Sequence, residues 1–148
     1  MASSFYAQVD AWALKSEKAL ERVFKTAAQK VADRVLLPVE RGGNMPVDTG
    51  NLRRSLLAST AIMPGVQAGV AEFPDNGGQI SLVIAGANIT DTIYLGFQAE
   101  YARRVNYGFT GTDSLGRQYN QSGRGFVGAA AQQWQQIVNE AVKEVRGT

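Results

Sequence analysis

Met45-Pro46-Val47-Asp48-Thr49-Gly50-Asn51-Leu52-Arg53-Arg54-Ser55-Leu56 reads as a stop followed by a start. Pro46 cannot continue a helix and biases Met45 toward extended geometry. Asp48 and Thr49 are N-capping residue types, and Gly50 permits a sharp turn. Leu52, Ser55 and Leu56 then fall at i, i+3 and i+4, which is one face of a helix. The pattern predicts that a long element ends here, the chain turns, and a short helix follows over about residues 50–57, with Arg53 and Arg54 on its outer side.

Upstream, residues 4–37 carry an amphipathic helical pattern. Val9, Trp12, Leu20, Val23, Phe24, Ala27, Val31 and Val35 recur at helical steps, and the charged residues mostly take the other side. Ser3 or Ser4 can cap this helix, and Glu21–Lys25 is a favourable i, i+4 pair. At about 1.5 Å per residue it would be on the order of 50 Å long, more than one small domain needs for one face. Two readings follow. Either the helix packs along its own sheet, or the end bearing Phe5, Tyr6 and Trp12 packs on a neighbouring subunit as an aromatic anchor.

Downstream, residues 57–63 read as a first strand, and residues 66–86 as a hairpin turning at Pro74-Asp75-Asn76-Gly77-Gly78. Its second arm, Gln79 to Gly86, alternates with Ile80, Leu82 and Ile84 on one side. Thr92 to Phe97 is a further strand, and residues 99–105 suit a turn or two of helix. Residues 108–125 hold glycines at 108, 111, 116, 123 and 125 among polar residues, too little apolar surface to order a segment by itself. They are expected to form a loop, mobile in the free subunit and ordered against a partner through Arg117, Tyr119 and Arg124. Residues 126–146 predict a last helix with Ala130, Trp134, Ile137, Val138, Ala141, Val142 and Val145 as its apolar stripe. The expectation is therefore a single α+β domain over residues 1–148: an antiparallel sheet packed by a long N-terminal and a C-terminal helix.

Composition narrows the chemistry. The chain of 148 residues has no cysteine and no histidine, which excludes thiol chemistry, Cys/His zinc sites and His-dependent triads. The net charge of +2 is too small to argue nucleic-acid binding by itself. No apolar run approaches a membrane span and no signal-peptide pattern opens the chain, so no membrane association is expected. No Walker-type glycine motif and no acid set with metal spacing is visible: Asp75, Asp91 and Asp113 stand apart, and Asp48 is accounted for by capping. Neither enzyme activity nor a catalytic, cofactor or metal site is expected.

The central stretch, Pro46-x-Asp48-Thr49-Gly50-x-Leu52-Arg53-x-Ser55 after a long amphipathic helix, resembles the neck or tail-completion proteins of long-tailed phages. A second block, Tyr101-Ala102-Arg103-Arg104-Val105-Asn106-Tyr107-Gly108, is similar to that family's Tyr-Ala-x-x-Val-polar-aromatic-Gly pattern. A third, Gly125-Phe126-Val127-Gly128-Ala129-Ala130, keeps the aromatic and the alanine of the family's Pro-Phe-aliphatic-x-Pro-Ala but neither proline. The resemblance implies a structural virion protein at the head–tail junction, assembled in the host cytoplasm. It implies a homo-oligomeric ring, expected as a hexamer, between head-completion or connector proteins and the tail tube, with genomic duplex DNA passing through its lumen.

Arg53, Arg54, Arg103 and Arg104 are expected first as solvated helix surface; within the ring reading they would line the lumen or pair with acids of the next subunit, with pairing slightly favoured over DNA contact. Two alternatives stand beside the neck role. One is a tail terminator that caps the tube. The other is a DNA-binding protein, whose affinity would fall steeply with salt.

Overall fold

A computed structural model describes residues 4–112 and 114–147. The architecture is α+β, as expected: a long N-terminal helix, a C-terminal helix packed on it, and antiparallel strands between them. The strands form two separate two-stranded sheets rather than one.

Helix α1 runs over Phe5–Val35. The Ser4 hydroxyl accepts from the Ala7 amide at 3.1 Å, and Lys25 pairs with Glu21 at 3.0 Å. The alternative cap, Ser3, lies outside the described residues. After α1, the Val39 amide donates to Met45 O and the Met45 amide to Leu37 O, which closes residues 37–45 around a 3-10 turn at Val39–Arg41. This closure demands a glycine at 43, where a Cβ would sit 1.9 Å from the Leu37 carbonyl oxygen. Met45 is thereby carried fully into the core.

The central stretch then turns and starts as predicted, in shorter form. Helix α2 is a single turn, Asn51–Arg54, because Leu56–Ser59 already belongs to strand β1. Gly50, at φ 81°, is the cap residue in place of Asp48 or Thr49, although the Thr49 hydroxyl accepts weakly from the Asn51 amide at 3.4 Å. Strand β1 pairs antiparallel with β2, Tyr94–Phe97, in the register Leu56↔Phe97 to Ser59↔Tyr94.

The expected hairpin over residues 66–86 is not formed. Residues 79–86, expected as a strand, belong to helix α3, Gly77–Gly86. In a strand Ile80, Leu82 and Ile84 would share a face. Here Ile80 and Ile84 are buried at i, i+4 spacing while Leu82 is 74% exposed. The short apolar run fits both periods, and tertiary contacts choose. The outer edge of β1 is met by a side chain instead of a strand: Gln79 accepts from the Ala58 amide at 3.0 Å and donates to the Ala58 carbonyl at 2.6 Å. Lys25 of α1 donates to the Ala85 carbonyl at 2.7 Å, near the end of α3 where carbonyls lack helical partners.

Helix α4, Ala102–Tyr107, leads into the second sheet, β3 (Gly108–Thr112) and β4 (Gln118–Ser122). The segment expected as a loop is thus largely a hairpin. Composition missed what pins it: Phe109 and Tyr119 pack diagonally across the strands with ring centroids 6.0 Å apart, and the Arg104 guanidinium lies 4.2 Å over the Phe109 ring.

The expected terminal helix is two helices, α5 (Phe126–Gln132) and α6 (Trp134–Arg146), broken at Gln133. Gln133 accepts from Arg34 Nε at 2.9 Å. The break re-aims the apolar stripe. Phe126 and Ala130 enter the core with Val35, Met45, Leu52 and Phe73, whereas Ile137 and Ala141 pack on Ala27 of α1. Trp134, expected within the stripe, is 51% exposed.

Candidate functional site

The first two sequence blocks meet through one side chain. Asn51 opens α2 and is buried, and three bonds use its amide. Its Oδ1 accepts from the Phe73 amide at 2.7 Å, and its Nδ2 donates to Ala71 O at 3.3 Å and to the Tyr101 hydroxyl at 3.1 Å. The irregular segment before α3 is therefore held by a buried amide in place of a ladder. The second and third blocks meet in the same way. Buried Asn106 of α4 accepts from the Val127 amide at 3.1 Å through Oδ1 and from the Gly125 amide at 3.0 Å through its carbonyl. It thus satisfies an amide in the first turn of α5, where no proline removes one. Gly108, at φ 87°, lets the chain pass the other strand, since a Cβ there would lie 2.7 Å from Gln121 O.

Between the blocks lies an open cleft of about 720 Å³. Pro46 and Asp48 to Leu52 form one wall, Tyr101 and Val105 a second, and Gln121 to Arg124 at the end of β4 the third. Its polar groups are hydroxyls, amides, one carboxylate (Asp48) and one guanidinium (Arg124). This lining can hydrogen-bond an extended chain. Among the described residues no three Asp or Glu side chains gather as a metal site would require.

The residues singled out from sequence fall into three places. Arg53 and Arg54 are half-buried and turn back to the main chain. Arg53 Nε donates to Leu36 O at 2.9 Å, while Arg54 donates to Phe73 O at 2.8 Å and Thr49 O at 3.2 Å. They tie α1, α2 and the segment before α3 together. Arg103 and Arg104 are exposed and, with Tyr107 and Phe109, line a shallow depression at the base of the hairpin. Tyr119 packs within that hairpin and Arg117 stands beside β4, while Arg124 borders the cleft. The main-chain oxygen of Arg124 accepts from Asn44 at 3.2 Å.

Phe5, Tyr6 and Trp12 lie far along α1 from this cleft. Phe5 and Tyr6 are each 82% exposed and Trp12 is 69% exposed. Residues 4–15 have no buried member. This part of α1 is an arm rather than a cover for the protein's own sheet.

Sequence reading passed over Asn51, Asn106 and Gln79, whose roles depend on what lies opposite them. It also passed over Arg34, which reaches Gln133 and, at 3.2 Å, Asn44, joining α1 to the 37–45 turn and to the α5–α6 break. Lys30 of α1 hydrogen-bonds Glu144 of α6 at 2.5 Å. That bond chiefly holds its amine above its ordinary pKa, with burial opposing and the charges of Glu144, Glu140 and Asp33 adding.

Among the described residues no helix is long and apolar enough to cross a membrane. Comparison with protein-family models, with curated proteins and with solved structures finds no match to this chain.

Proposed function

We propose that this protein is a structural subunit of the head–tail junction of a long-tailed phage. It forms a ring that joins the head connector to the tail tube and lets duplex DNA pass. Its work is done by surfaces rather than by reacting groups.

One observation carries the reading. The three blocks that resemble the neck or tail-completion family are far apart in sequence, yet they close on one another through Asn51, Tyr101 and Asn106. The blocks thus come together in one part of the fold, the first two around a shared cleft, as parts of one structural unit would. The arm of α1 adds support, since a cluster of exposed aromatics suits a contact between subunits.

The test is mass measurement of the purified protein alone and with isolated tails. The reading expects a closed oligomer, a hexamer in the simplest case, that binds tail ends. A monomer at every concentration, with no affinity for tails, ends it.

A further inference from the structure

We propose that the arm of α1 is received by an apolar groove on the next copy of this chain, giving a head-to-tail contact. The proposal rests on the ring reading in one respect, that copies of the chain associate.

The arm begins where its internal partner stops. Helix α6 runs antiparallel to α1, with Gln133 meeting Arg34 and Glu144 meeting Lys30. It spans 13 residues against the 31 of α1. The face of α1 that meets α6 around Ala27 continues upstream as Phe5, Val9, Trp12 and Leu20, all of them exposed among the described residues. This overhang is about 24 Å long at 1.5 Å per residue. Its three aromatics, at their observed exposure, offer about 450 Å² of the ~800 Å² per partner of a standard interface.

The shape of the stripe selects the occupant. Phe5, Val9, Trp12, Ser16 and Ala19 alternate in steps of four and three, and Tyr6, Ala13 and Leu20 widen the face on one side. A two-helix seam uses only the first set, so pairing two arms would leave the second wet. Lys15 and Arg22 lie one heptad apart on the other flank. In an antiparallel pair of arms that flank would face its own copy, like charge against like. A broad stripe needs a concave surface made of more than one element.

The chain carries one. Phe24, Ala28, Val31, Ile93, Leu95 and Trp134 line a groove of about 340 Å³ between α1, the start of β2 and the head of α6, with Asp91 and exposed Thr92 also in its wall. Its size suits one aromatic anchor, which the arm supplies in Trp12. Asp91 offers the charge opposite to Lys15. Phe24 and Val31 belong to the same unbroken helix as the arm, so the arm cannot fold back onto its own groove. A contact between two different patches repeats from copy to copy and closes into a ring when the rotation allows.

The test uses two variants of the full chain. Phe5→Lys/Trp12→Lys disables the arm, and Thr92→Arg/Trp134→Arg disables the groove. Circular dichroism checks that both remain folded, as expected for exposed positions. Native mass spectrometry should find each variant dissociated, with association weakened at least about 30-fold. An equimolar mixture should form dimers and nothing larger, because one intact arm and one intact groove remain per pair. Association of the groove variant while the arm variant dissociates would overturn the proposal in favour of another seat. Wild-type-like association of both variants would overturn the arm contact and leave the ring standing. A monomeric wild type would remove both.

Discussion

Asn51 sits at the x of the Asp-Thr-Gly-x-Leu stretch, where sequence patterns place no demand. Yet it holds the Phe73 amide, the Ala71 carbonyl and the Tyr101 hydroxyl together. Asn51→Ala leaves a buried amide without its acceptor and should lower stability by about 1–3 kcal/mol. Thermal unfolding monitored by circular dichroism measures this, and an unchanged Tm would show that water replaces the side chain without loss. Leu52 and Leu56 are buried in different core clusters. Leu52→Asp or Leu56→Asp buries a charge with no partner and should unfold the chain; a native melting curve from either would show the site to be wet. The two leucines and their spacing were legible in sequence because apolar periodicity is a local property. The role of Asn51 was not, because its three partners come from residues 20 to 50 positions away.

Helix α3 shows the limit of pattern reading. Gln79 to Gly86 satisfies both a strand and a helix period, and the decision rests with partners outside the segment. Those partners are Ala32, Leu56 and Ala58, which receive Ile80 and Ile84, and Lys25, which meets the Ala85 carbonyl. The β3–β4 hairpin is the opposite error, where a polar composition concealed a ladder held by Phe109, Tyr119 and Arg104. Removing residues 110–123 should leave the remaining core folded while, on the proposed head–tail reading, impairing the joining of heads to tails. Normal phage titre with that deletion would contradict a partner role for the hairpin.

Packing of α6 on α1 carries a pH signature. The Glu144 hydrogen bond raises Lys30 above its ordinary value of about 10.5. A raised folded-state value stabilises fully below the unfolded pKa and is lost as pH rises through the folded one. Stability should therefore fall above about pH 10.5, and Lys30→Met should flatten that part of the curve. Identical alkaline curves for the two proteins would show the pair to be inert.

The described residues divide into a packed body and an exposed arm at residues 4–15. On the proposed ring reading, a net charge of +2 per chain suits a conduit through which DNA must move, since a strong phosphate grip would stall it. Duplex binding measured at two salt concentrations should accordingly be weak, with a shallow slope. Tight binding that falls steeply with salt would favour the nucleic-acid reading instead.

Local chemistry settled the long first helix with its Ser4 cap and Glu21–Lys25 pair, the stop and restart around Pro46 and Gly50, strand at residues 57–59 and 94–97 within longer expected segments, and the α+β class. Each depends on residues within a few positions of one another. Contacts between distant segments decided the rest: α3 as a helix, Gln79 in place of a third strand, the break at Gln133, the hairpin after Gly108, and the meeting of Asn51 with Tyr101. Periodicity within a segment states which side of an element is apolar, but only the neighbours brought against it determine which element forms and what covers that side.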